Sequence, residues 1–163
     1  MKIHSVAACL GLSTFVLIGI KSTAQSIPTL IVGRWRIQKI LPTHNPQCWD
    51  EDEAKALIGN TLTYQAHAMT WRGGTEPISY ALSRTQNRSS FMEEYKVDLP
   101  ELGITAQSVE EIDLQHEDAD VTGATTEIPG DTILVAGRGR IVVSACGVFY
   151  SAIRVADKPV GTR

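Results

Sequence analysis

Thr61-Leu62-Thr63-Tyr64, Met69-Thr70-Trp71 and Ile78-Ser79-Tyr80-Ala81-Leu82-Ser83 follow one another in quick succession. In each run apolar residues alternate with polar or small ones, the period-2 pattern of a strand with one buried face. Ala66-His67 and Gly73-Gly74 separate the runs and supply the reversals, so residues 61–83 predict consecutive antiparallel strands joined by tight turns.

The same texture extends in both directions. Residues 30–41, rich in Ile and Val around Trp35 and free of acids, predict a first strand that the Pro42-Thr43-His44-Asn45-Pro46 stretch ends. Asp50 and Glu53 make a capping-box pattern ahead of Ala54, Lys55, Ala56 and Leu57, with Gly59 at the stop, so residues 50–58 predict one short helix. Residues 84–101 show no period of 2 or 3.6 and read as a long, partly ordered surface segment. Residues 109–116 alternate again, with Glu110, Ile112, Leu114 and His116 on one face and Val109, Glu111, Asp113 and Gln115 on the other, as a half-buried strand would. Residues 133–136, 140–144 and 148–155 complete the series around turns at Pro129-Gly130-Asp131, Gly137-Arg138-Gly139 and Cys146-Gly147.

Strands recurring about every 8 to 12 residues predict an all-β fold. Trp35, Ile37, Leu62, Tyr64, Met69, Trp71, Ile78, Tyr80, Leu82, Ile112 and Leu114 share one pleat phase, and the face they form must be buried. About eight antiparallel strands bury it by closing into an up-and-down barrel with one short helix after the first strand, which also removes the sheet edges. A barrel of that size is either filled by side chains or holds one small ligand.

Length and charge set the rest of the frame. At 163 residues the chain has room for one domain, and 15 basic against 18 acidic residues give a net charge of −3, which offers no field for phosphate backbones and excludes a general nucleic-acid binder. Lys2, an apolar stretch over residues 6–20 and Ser22-Thr23-Ala24 have the form of a secretory signal over residues 1–24, leaving residues 25–163 as a single exported domain, periplasmic or secreted. The apolar run is shorter than the roughly 20 residues that span a bilayer, so no transmembrane segment remains after cleavage. Val6-Ala7-Ala8-Cys9 offers lipoprotein processing as the alternative. Loss of Lys2 and Lys21 lowers the basic count to 13 and the net charge to −5.

Cys48 and Cys146 survive cleavage, and an even pair in an oxidising compartment is most simply a disulfide. Closing the loop between residues 48 and 146, roughly 100 residues, contributes up to about 4.7 kcal/mol in the entropic picture. The alternative, a metal or reactive thiol site, lacks the CxxC or neighbouring His that it needs.

Gly33-Arg34-Trp35 resembles the Gly-x-Trp signature that opens the first strand of lipocalins and other calycin barrels. The resemblance implies that Trp35 closes one barrel end beneath a basic side chain of the last strand, for which Arg154 stands in place; a guanidinium over an indole face gains cation-π energy. It covers the first and last strands. No counterpart of the family's Thr-Asp-Tyr motif is present, and the short helix follows the first strand instead of lying near the end.

Catalytic templates are absent: no Gly-x-Ser-x-Gly, no His-Glu-x-x-His, no Gly-x-x-x-x-Gly-Lys, and Gly137-x-Gly139 precedes a strand. Asp118-x-Asp120-x-Thr122-Gly123 matches the first half of a calcium loop, but Pro129 falls where the terminal carboxylate is required, so an acidic solvated loop is expected and no metal. The same letters occur in haloacid-dehalogenase phosphatases, whose parallel α/β sheet has no room here. His44 and His67 read as turn residues, and His116 as a satisfied imidazole at a strand end. Asn87-Arg88-Ser89 fits a glycosylation sequon.

Three function classes remain, none requiring a cofactor. In the first, Tyr64, Trp71 and Tyr80 line a barrel interior that holds a small hydrophobic or aromatic ligand, its anionic group paired with Arg84 at the rim beside residues 84–101. In the second, the barrel is packed and the protein binds another exported protein, as an inhibitor or adaptor. An enzyme comes third and would gather perturbed titratable groups in one cleft.

Overall fold

The computed structural model describes residues 26–44, 50–116 and 129–156. Eight strands, β1 Gly33–Ile40, β2 Thr61–Gln65, β3 Ala68–Trp71, β4 Gly74–Asn87, β5 Ser108–His116, β6 Thr132–Val135, β7 Arg140–Ala145 and β8 Val148–Val155, pair with their sequence neighbours, and β8 closes on β1. All pairings are antiparallel, so the expected all-β up-and-down barrel is the observed fold. Two-residue turns at Arg72-Gly73 and Cys146-Gly147 have positive φ at both positions, the conformation whose twist matches that of the flanking strands.

Helix α1, Glu51–Lys55, lies after β1. Asp50 Oδ1 accepts from the amides of Asp52 and Glu53, and the Glu53 side chain answers to the Asp50 amide, so both halves of the capping box form. A second helix, α2 Arg88–Tyr95, occupies the segment expected to be irregular. Asn87 caps it by accepting from the Ser90 amide, and Lys96 ends it in the left-handed region. Phe91 is its buried side chain, so the helix carries no apolar stripe for a periodicity to reveal.

The protein has two cores. Inside the barrel, Trp35, Ile37, Leu62, Tyr64, Met69, Ile112, Ile133, Ile141 and Val143 form one buried cluster, joined at one end by Ile27 and Ile31 of the entering chain. Outside it, Phe91, Val97, Leu99, Leu102 and Ile104 pack on the outer face of the sheet against Val109, Leu134, Val142 and Phe149. Strands β5 to β8 are thus covered on both faces, and β5 is not the half-buried strand expected: Glu111, in its outward phase, is fully buried.

One expected phase is inverted. The β4–β5 register shifts between Ile78 and Tyr80, a bulge that turns Ala81 inward and sends Tyr80 and Leu82 outward. Tyr80 and Leu82 keep 40% and 53% of their surface exposed and do not line the interior.

Candidate functional site

The four side chains expected to meet at a ligand do not converge. Tyr64 is inside, and its hydroxyl donates to Gly130 O at 2.9 Å. Burial pushes that phenol well above its ordinary range. Trp71 lies half-buried at the margin of the inner core, with the Arg72 guanidinium 5.1 Å from its ring centroid. Tyr80 faces outward for the reason just given, and Arg84 shares its outward phase.

Arg84 does not wait at a rim for an anion. Its Nη2 donates to Glu111 Oε1 at 2.5 Å and Glu94 Oε1 at 2.8 Å, and Tyr95 donates to the same Glu111 oxygen at 2.7 Å. Gln86 Nε2 donates to Glu94 Oε2 at 2.8 Å. Burial pushes the Glu111 carboxyl above the ordinary carboxylate range, against the bonds from Arg84 and Tyr95. Burial pushes the same way on Glu94, but there the bonds from Arg84 and Gln86 prevail and hold the carboxyl below that range. Strands β4 and β5 supply Arg84, Gln86 and Glu111, and α2 supplies Glu94 and Tyr95, so the cluster ties the helix to the barrel wall. A buried carboxylate in a period-2 strand reads as a solvated one, which is why Glu111 was illegible.

At one barrel end the Arg154 guanidinium lies 4.3 Å from the Trp35 ring centroid, donates to Val32 O at 2.8 Å and donates to Leu30 O. Trp35 Nε1 donates to Ile31 O at 2.7 Å. The entering chain is thereby fastened across that end.

Beside α2 an open cleft of about 530 Å³ is lined by Asn87, Arg88, Ser89, Met92, Asp98 and Gln107. Arg88 grips Asp98 there with two donors, which lowers the Asp98 carboxyl. His44 bonds Glu101, and His116 bonds Pro77 O and Asp131. Among the described residues no cluster of His, Cys, Asp and Glu could hold a metal, and no helix is long and apolar enough to cross a membrane. Cys48, the acidic run from Glu117 to Gly123 and the signal segment lie outside the described residues; Cys146 is buried in the β7–β8 turn.

Comparison of the chain with protein-family models, with curated proteins and with solved structures gives no match.

Proposed function

We propose that the chain is an exported, lipocalin-like barrel acting as a protein-binding module, an inhibitor or adaptor, whose contact surface is the outward row of β4. The observation that carries this reading is the pair Tyr80 and Leu82, two large apolar side chains exposed on one strand face. Three further facts support it. The inward side chains of the barrel pack against one another, the Tyr64 hydroxyl is committed to Gly130, and the charge of Arg84 is matched by two carboxylates. Gly33, Trp35 and Arg154 support the lipocalin-like kinship, since they meet at one barrel end.

A small hydrophobic ligand is the rival, and the cleft beside Met92 is where it would find room. Titrating the intrinsic Trp fluorescence of the exported chain with hydrophobic carboxylic acids separates the two. The protein-binding reading expects no saturable change; saturable one-to-one binding would replace it with the rival.

A further inference from the structure

Strand β4 is paired unevenly. Gly74 to Pro77 pair with β3, and the Ile78 amide donates to His67 O; from Tyr80 to Asn87 the strand pairs only with β5. Among the described residues, the other edge of residues 79–87 therefore has no partner strand. Nine extended residues make an edge about 30 Å long. Natural sheets blunt such edges with lysine, proline or a cover. Residues 79–87 contain neither Lys nor Pro; the bulge stands at their start, and α2 bonds Arg84, Gln86 and Asn87, so residues 79–83 are the part of the edge that the described residues leave unpaired.

We propose that this edge joins two copies of the chain, antiparallel about a two-fold axis through Leu82, so that the two barrels share a continuous β5-β4-β4-β5 ribbon. The inference rests on the reading of β4 as a protein-binding surface and assigns that surface to self-association in place of an inhibitor or adaptor contact. The order of side chains picks out a second copy, because Tyr80-x-Leu82-x-Arg84 is complementary to itself when reversed. Leu82 meets Leu82, and each Tyr80 lies opposite Arg84 of the other copy, where a guanidinium beside a phenol ring is favourable. On the inward side Ala81 meets Ser83 and Ser79 meets Thr85, small against small. Glu94 and Glu111 offset the charge that the two arginines bring together. The two-fold arrangement closes on itself and uses up the edge.

Sedimentation velocity of the exported chain, from nanomolar to high-micromolar concentration, tests this. A concentration-dependent dimer is expected. Leu82→Lys sets two ammonium groups across the axis and leaves only monomer; at concentrations where wild type is also monomeric its melting temperature is unchanged, because the side chain is exposed there. Tyr80→Ala removes the ring that faces Arg84 and weakens the dimer less than Leu82→Lys does. A wild-type chain that stays monomeric, or a dimer indifferent to Leu82→Lys, would overturn the proposal. If the chain is monomeric while a photo-crosslinking side chain at Leu82 captures a different exported protein in fixed stoichiometry, the two-copy inference fails and the protein-binding reading survives. Monomer without capture removes both.

Discussion

Arg154 covers the indole of Trp35 at 4.3 Å and donates to the carbonyls of Leu30 and Val32, so a single side chain fastens the last strand, the first strand and the entering chain together. Arg154→Ala removes the cation-π contact and both bonds. It is expected to cost about 1–2 kcal/mol and to shift Trp emission to the red as water reaches the ring. Urea denaturation followed by fluorescence measures both. Arg154→Lys should recover less than half of the loss, because an ammonium has no planar face to lie on the indole while two separate nitrogens donate to the two carbonyls.

Gly33 owes its identity to the same arrangement. It has φ +134, and a Cβ there would meet the Arg154 guanidinium. Gly33→Ala is expected to cost about 1–3 kcal/mol from the backbone alone, with a further part that disappears in the Arg154→Ala background. Additive effects in the double mutant would show that the side chain and the glycine do not press on each other.

Tyr64 and Gly130 form a second such pair inside the barrel. Tyr64→Phe leaves the buried Gly130 carbonyl unpaired at that side and is expected to cost about 1–2 kcal/mol. Gly130→Ala is expected to cost more, since φ is +97 and the added methyl would meet the Tyr64 hydroxyl and Leu62. Equal stability of Gly130→Ala and wild type in thermal denaturation would contradict this packing.

The barrel was legible in the sequence for a plain reason. Strands β1 to β3 bury one face, and turn pairs such as Arg72-Gly73 punctuate the alternation. The β4 phase was not, because apolar residues stand in both phases of Ile78-Ser79-Tyr80-Ala81-Leu82, and the bulge that chooses between them is a property of pairing with β5. The outer core was hidden in a different way. Phe91, Val97, Leu99, Leu102 and Ile104 have no common period, since they come from one helical turn and the loop after it. Of the candidate site, the Trp35 and Arg154 positions were readable from the ends of the chain, whereas the Arg84, Glu94 and Glu111 cluster depends on α2 folding back over the sheet.

Glu111 makes stability depend on pH in a defined direction. Its folded-state value is raised by burial, so between the ordinary carboxylate range and that raised value the native state holds a proton that the unfolded chain has released. Its contribution is therefore fully present at low pH and is lost as pH rises through the folded value. The stability of wild type relative to Glu111→Gln should fall with rising pH from about 4 upward and then level off. A difference that grows with pH would mean that the Arg84 bond outweighs burial.

Cys48 and Cys146 are expected to be joined by a disulfide. Mass measurement after alkylation should find Cys48 and Cys146 unmodified, and replacing both by Ser should cost about 2–5 kcal/mol. Alkylation of Cys48 and Cys146 in the folded protein would contradict the pairing.

The outward row of β4 is tested most directly by photo-crosslinking in the cell that makes the chain, with the reactive side chain at Leu82 and, as a control of similar exposure, at Ile58. A discrete adduct between this chain and a protein, whether a second copy or another exported chain, is expected at Leu82 and not at Ile58. No protein adduct at Leu82, together with saturable quenching of Trp fluorescence by a hydrophobic acid, would contradict binding through β4 and return the function to a small ligand.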